Sequence, residues 1–255
     1  MGRVDQRVAI VTGGGHGIGR AYCLGLAREG ARVVAADIDE KAARAVADEI
    51  QGQGGEALAL HVDVTDEASV GAMVQATLER FGAIHVLINN AAFFLRPVPV
   101  SRVSFDQIPV AEWDRVMAVN LRGVFLCCRA VAPTMKANRT GKIINISSST
   151  VFIGREGFLH YVTSKAGVIG LTRSLARELG DFGITVNAVA PGLTQSEDEL
   201  TDAVRARHEE LRRARCVKRI EKPEDLVGTI LFLSSPDSDF MSGQTMLVDG
   251  GQAFV

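Results

Sequence analysis

Four cysteines in 255 residues, two of them adjacent at Cys127 and Cys128, form neither a disulfide framework nor a metal-ligand pattern. A reduced, cytoplasmic setting is therefore expected, with no bound metal. Charge of one sign is also missing: 28 Lys and Arg against 30 Asp and Glu leave a net charge near −2. That balance gives no overall electrostatic case for a nucleic-acid partner. No apolar stretch approaches a membrane span, so no membrane association is expected. The first strand-like run begins within the first ten residues, which leaves no room for a signal peptide. The start Met1–Gln6 lacks the Ser or Thr of a myristoylation signal. Low-complexity tracts and internal repeats are absent.

What is present is enough apolar residue, 47% of the chain, to bury one full core over 1–255. β-branched runs alternate with helical signals. Strands are expected at Arg7–Val11, Ala31–Ala36, Ala57–Val62, His85–Ile88, Lys142–Ser147, Ile184–Val189 and Thr245–Val248. Helices are expected from Ala21, after Asp39 and Asp66, from Ser104–Trp113, around Tyr161 and after Pro223. This alternation predicts an α/β fold with a parallel sheet covered on both faces. Right-handed crossovers give the doubly wound, Rossmann-type strand order 3-2-1-4-5-6, extended by a seventh strand.

Between the first strand and first helix lies Thr12-Gly13-Gly14-Gly15-His16-Gly17-Ile18-Gly19. Strand, glycine-rich turn and helix form the context of a dinucleotide site. The glycines let backbone approach a pyrophosphate, and the helix start offers free N–H groups. The second strand ends at Asp37, about twenty residues beyond the turn, where an acid accepts from adenosine ribose hydroxyls. A carboxylate there repels a 2′-phosphate, so NAD is expected over NADP. His16 pulls slightly the other way, since a cation in the turn can hold a phosphate. Asp37 can alternatively N-cap the following helix, with Ile38 and Asp39 sharing that task.

Tyr161 and Lys165 stand four residues apart, on one face if the segment is helical. By itself that spacing equally describes an ordinary helix face. An ammonium beside a phenol lowers a pKa otherwise about 10 and suits the tyrosine to proton exchange with a substrate oxygen.

With these residues in view, the chain resembles the short-chain dehydrogenase/reductase family over nearly its whole length. Gly13, Gly15, His16, Gly17, Ile18 and Gly19 match that family's cofactor turn. Asp37 and Ile38 fall at its ribose position, and Asp63-Val64 resembles its adenine contact. Asn89-Asn90-Ala91-Ala92 resembles the motif after its fourth strand, with Ala in a place usually held by Gly. Asn120 matches its proton-relay asparagine, acting through the backbone carbonyl. Ser148 lies thirteen residues before Tyr161, the family spacing, and Pro191-Gly192-Leu193-Thr194 resembles the segment beside the nicotinamide. The resemblance implies that Asn120, Ser148, Tyr161 and Lys165 carry catalysis. It implies that Asn90, Ala91, Pro191, Gly192 and Thr194 join the cofactor site, where Tyr161 and Lys165 also touch the cofactor.

Phe93, Phe94, Val151, Phe152 and Ile153 suggest a largely apolar substrate pocket, or else core and subunit contacts. Phe94, Ser148, Thr150, Phe152 and Tyr161 are the candidate substrate contacts. The stretch Leu95–Ile108, with Pro97 and Pro99, reads as a stiff surface excursion able to reshape the entrance. Ser196–Arg219 is polar and rich in Arg, and reads as a mobile lid or a solvated helix with Glu209 and Arg213 paired. Its basic surplus raises recognition of an anionic carrier. Apolar residues on the helix Ala111–Met135 and on the tyrosine helix, read with the family, imply a homotetramer.

The reading that follows is an NAD-dependent oxidoreductase on a small alcohol or ketone. Two alternatives stand beside it: an NADPH-dependent 3-oxoacyl thioester reductase, and a catalytically silent nucleotide-sensing scaffold on the same fold. Asp37 speaks against the first. The presence of Ser148, Tyr161 and Lys165 together speaks against the second.

Overall fold

Successive residues of β1 (Val8–Thr12) go to opposite faces of the sheet, and both faces are covered. Val8 and Ile10 join one apolar cluster with Val34, Leu87, Ile143 and Val186. Ala9 and Val11 join the other with Val33, Ala35, Ile88 and Ile144. A strand buried on both sides reads as a continuous apolar run rather than an alternation, as these do. The computed structural model describes residues 2–94, 99–196 and 202–254.

Seven parallel strands take the order β3-β2-β1-β4-β5-β6-β7. They are β1, β2 (Arg32–Asp37), β3 (Ala57–His61), β4 (Val86–Asn89), β5 (Gly141–Ile146), β6 (Ile184–Pro191) and β7 (Thr245–Val248). Each expected strand is present; four are displaced by one residue at both ends, β3 and β6 differ at one end, and β7 matches. On one face, α1 (Gly17–Arg28), α2 (Glu40–Gly52) and α9 (Glu224–Ser234) bury Tyr22, Leu26, Ile50, Leu226 and Ile230. On the other, α3 (Glu67–Phe81), α5 (Gly123–Asn138) and α7 (Leu159–Leu179) bury Met73, Phe81, Val131, Met135 and Val168.

Two departures from the expected helices bear on the site. The expected helix Ala111–Met135 is three segments in one: α4 (Val110–Met117), a π-helical turn at Ala118–Arg122, and α5. The π turn contains Asn120. Joined end to end, Val110–Asn138 is long and apolar enough to cross a membrane by length and composition, contrary to the expectation that no stretch is. Nothing in the local sequence breaks it, and Pro133 is carried inside it. Its inner positions Val116, Val124, Val131 and Met135 are buried in the protein's own packing. The second departure is a short helix, α6 (Thr150–Ile153), inserted between β5 and α7.

Strand order reverses between β1 and β4, and the crevice beyond their carboxyl ends is where such sheets bind ligands. A buried polar ladder ties the strand ends together. Asn89 donates from Nδ2 to Asn145 Oδ1 at 2.8 Å, and Asn145 donates in turn to the Thr172 hydroxyl at 2.9 Å. These bonds tie β4, β5 and α7 together, although the buried Asn89 Oδ1 itself has no partner.

Candidate active site

The glycine turn is locked to β4 by one threonine. Thr12 Oγ1 accepts from the N–H groups of Asn90 and Ala91, both at 3.1 Å. The Asn90 amide donates back to the carbonyls of Thr12 at 3.0 Å and Gly13 at 2.9 Å. The chain then packs so closely that a Cβ on Gly19 would overlap the Gly13 carbonyl. Gly13 and Gly17 adopt φ of 63° and 51°, which side chains disfavour. No side chain caps α1, whose first turn carries no acid. The turn is thus a backbone cradle open to an anion.

Asp37 ends β2 with its carboxylate held by two main-chain donors, Gly15 at 2.9 Å and Asp39 at 3.0 Å. It does not cap α2. Asp39 does, accepting from the Ala42 N–H at 3.1 Å, so the capping alternative for Asp37 falls away. Asp39 also holds His16 Nε2 at 3.0 Å, engaging the histidine of the turn. Its carboxyl lies below the ordinary range because the Ala42 N–H and His16 favour the charged form.

These residues open onto one cleft of about 750 Å³. Gly13, His16, Gly17, Ile18, Asp37, Ile38, Asp63, Val64, Asn90 and Ala91 line one end. Ser148, Thr150, Tyr161, Lys165, Pro191, Gly192, Thr194 and Phe94 line the other. Gly15 and Gly19 stand behind the surface and shape the turn. Asn120 and Phe152 do not line the cleft; from the segment around Phe152, Ile153 and Phe158 do.

Asn120 is a buried clamp. Its Oδ1 accepts from the Phe93 N–H at 2.7 Å, and its Nδ2 donates to the Ser164 hydroxyl at 3.2 Å. It therefore joins the loop after β4 to the helix carrying Tyr161. A π turn widens the helix at this residue, a local adjustment often found at functional sites.

Tyr161 is buried among Phe94, Phe158, Phe93, Val100 and Val116. The Phe94 ring lies 4.7 Å from it, centre to centre. Burial pushes the phenol up to about 12, and a hydrogen bond with Ser148 only partly offsets this. Ser148 Oγ in turn accepts from the Thr150 hydroxyl at 2.9 Å. Lys165, also buried, is pushed down to about 8. Its Nζ donates to the Ile146 carbonyl at 2.8 Å. The expected lowering of the tyrosine by the lysine is thus not present in this state. Both groups are desolvated, and each moves toward its neutral form.

The sequence reading missed the arginines. Arg102, Arg115, Arg155 and Arg207 all line the cleft at the tyrosine end. They come from the Leu95–Ile108 excursion, α4, the loop before α7, and α8 (Asp202–Ala214), so no local motif unites them. Pro97 of that excursion lies outside the described residues, as do 197–201 of the expected lid. Most of the basic surplus of the lid is spent internally. Arg212 pairs with Glu209 at 2.6 Å, closer than the expected Arg213 at 3.4 Å, and Arg207 pairs with Glu210. Arg215 is buried against Glu221 at 3.0 Å, and Arg219 pairs with Asp225. Among the described residues, no group of three or more His, Cys, Asp or Glu could hold a metal.

This sequence and fold are similar to those of known proteins. A family profile described as enoyl-(acyl carrier protein) reductase matches residues 13–253. A (2S)-[(R)-hydroxy(phenyl)methyl]succinyl-CoA dehydrogenase subunit, BbsD of Thauera aromatica, is 39% identical and covers 98% of both chains. The 3-oxoacyl-[acyl-carrier-protein] reductase FabG of Staphylococcus aureus is 41% identical over 95% of this chain and 96% of its own. A crystal structure of a candidate gluconate dehydrogenase from Agrobacterium tumefaciens superposes with a TM-score of 0.89 at 33% identity, covering 99% of this chain and 98% of the other. The chain belongs to the short-chain dehydrogenase/reductase family of oxidoreductases.

Proposed function

We propose that the protein interconverts a secondary alcohol and a ketone with NAD(H), Tyr161 serving as general acid and base. The observation that carries this is one cleft with a glycine cradle and a carboxylate at one end and the Ser148, Tyr161 and Lys165 side chains at the other. The cradle fits a dinucleotide: its glycines admit no Cβ, and the uncapped start of α1 suits a pyrophosphate. Gly13, Gly15, Gly17, Ile18 and Gly19 would hold the phosphates, and Asp37 the adenosine ribose. Asp63, Val64, Asn90 and Ala91 would flank the adenine half, and Pro191, Gly192 and Thr194 the nicotinamide half. The bound dinucleotide supplies or accepts the hydride.

The protein's own residues handle the proton. Tyr161 takes it from the alcohol in oxidation and returns it in reduction, while Ser148 holds the substrate oxygen beside the phenol. Lys165 stabilises the phenolate once the two groups share a proton. Asn120 acts through its main chain on a water leading from Lys165 to solvent, since its side chain is committed to Phe93 and Ser164.

Asp37 and Asp39 together make this end of the cleft acidic, which favours NAD over NADP. A relative named as a 3-oxoacyl carrier-protein reductase supports the second reading, a thioester reductase using NADPH. A matrix of small alcohols, ketones and 3-oxoacyl thioesters assayed with both dinucleotides tests the two. Turnover of simple ketones with NADH is expected; turnover confined to thioesters with NADPH would replace the first reading by the second.

The same reading treats 1–255 as one domain, with residues 196–219 as a lid. Arg207 and Leu211 of α8 already border the cleft. A groove formed by Met117, Leu121, Phe125 and Leu171 on α4, the π turn, α5 and α7 supports association into a homotetramer. Sedimentation tests that state. Four free cysteines, three of them buried, fit a reducing, cytoplasmic setting.

A further inference from the structure

Around Phe158 the cleft gathers three arginines, with Glu210 beside them. The guanidinium carbon of Arg102 lies 5.0 Å from the centre of the Phe158 ring, and that of Arg155 lies 5.4 Å away. Among the described residues neither pairs with an acid. Arg207 approaches the same group and holds Glu210, yet its buried Nε has no hydrogen-bond partner. Arg155 is held below its ordinary range first by burial, then by repulsion from Arg207 and Arg102, with only Glu210 opposing. Arg102 is exposed and Arg207 shares Glu210, so Arg155, partly buried beside an apolar floor, is the cation that an incoming anion would complete. A guanidinium in contact with a ring still has its N–H edge available, and that edge donates in a fork to a carboxylate.

The position matters as much as the charge. The Phe158 ring is 6.1 Å from that of Tyr161, edge to face. The cations therefore sit one phenyl ring away from the proton-exchanging group, within the span of a small molecule. We propose that the substrate is itself an anion, a hydroxy or oxo acid whose carboxylate is held by Arg155, Arg102 and Arg207 while its carbinol carbon lies at Tyr161. This deepens the dehydrogenase reading and rests on it. A carrier phosphate is the other oxyanion that could reach these arginines, and the test separates the two.

The experiment compares 2-oxoglutarate with its dimethyl ester, and a CoA thioester with its N-acetylcysteamine counterpart. Two readouts are used: NADH-coupled kcat/KM, and the rise in Tm that each compound causes without cofactor. The variants are Arg155→Met and Arg102→Met, with Arg155→Lys as the charge-retaining control. Wild type is expected to favour the acid over the ester by about tenfold or more in kcat/KM, through KM. Only the acid should raise Tm. Both Met variants should bring the ratio toward one, chiefly by raising KM for the acid, and Arg155→Lys should recover part of the preference. Equal handling of acid and ester by wild type would overturn the anion site and leave the dehydrogenase reading standing. A Tm rise with the acid, lost in Arg155→Met, but no reduction of any ketone would keep the anion site and sink the dehydrogenase reading. A preference for the CoA thioester over its truncated form, with no preference for acid over ester, would assign the arginines to a carrier phosphate and overturn the substrate proposal.

Discussion

Lys165 gives its ammonium hydrogen bond to the main-chain carbonyl of Ile146, 2.8 Å away, and its Nζ stands 5.8 Å from the centre of the Tyr161 ring. The pair shares one buried environment, so its first proton comes off near the lower value, about 8, whichever atom loses it. Alcohol oxidation needs that proton gone. Its kcat/KM is therefore expected to rise through about pH 8 in wild type. In Lys165→Met only the phenol remains, near 12, and activity should keep climbing to the alkaline limit of the assay. Tyr161→Phe should retain NADH binding and lose about a hundredfold or more in turnover. An unchanged midpoint in Lys165→Met would separate the lysine from the proton step.

Asp37 is the residue proposed to set cofactor choice. Asp37 receives two main-chain N–H groups and stays buried, so its charge faces a fixed place in the cleft. Asp37→Ser keeps an acceptor for one of those donors and removes the charge. The ratio of kcat/KM for NAD over NADP should fall by on the order of tenfold, as expected for one lost charge repulsion. Steady-state kinetics with both dinucleotides decide it. A ratio that does not move would assign Asp37 to holding the turn alone.

The sheet and its order were legible because each strand is a short run of Val, Ile and Ala closed by a polar or turn residue. The cofactor turn was legible because its glycines lie in one stretch. Tyr161 and Ser148 were singled out by the spacing they share with the family that the chain resembles. What spacing cannot convey is environment. Lys165 beside Tyr161 suggested a lowered phenol, but burial of both reverses the direction until something charged enters. The arginines around Phe158 come from three separate segments and meet only through tertiary packing. The π turn at Asn120, whose amide is held between Phe93 and Ser164, is not encoded by any periodicity.

Glu221 links the segment after α8 to the segment after β6. It accepts from the Thr194 hydroxyl at 2.8 Å and from Arg215 at 3.0 Å, and is 5% exposed. Burial raises its carboxyl from 4.5 to about 7, against the pull of Thr194 and Arg215 and with help from Asp249 and Asp225. The folded chain thus keeps a proton that the unfolded chain releases above about 4.5. Stability from this group is full below that value and is lost as pH rises through about 7. Burial holds His85 and His208 below the ordinary histidine range, the opposite sense, so the comparison is with Glu221→Gln. The Tm of wild type minus that of Glu221→Gln should decline between pH 4.5 and 7 and then level off. A flat difference across that range would show that the carboxylate is already charged against Arg215.

Two glycine substitutions should have opposite signs. Gly19 lies in the first turn of α1, where an added Cβ meets the Gly13 carbonyl and the Asn90 amide. Neither can yield, because Asn90 is bound to Thr12 and Gly13, and Thr12 to the end of β4. Gly19→Ala should therefore destabilise the fold and abolish dinucleotide binding, even in whatever fraction remains folded. Gly71 sits inside α3, exposed, with nothing within 4 Å of its added Cβ and no positive φ. Gly71→Ala should stabilise by about 0.5–1 kcal/mol, since alanine loses less backbone freedom in a helix. Thermal unfolding with and without NADH reads both. Only Gly19→Ala should lose the ligand-induced rise in Tm, and a normal rise in that variant would mean that the pyrophosphate does not lie against this turn.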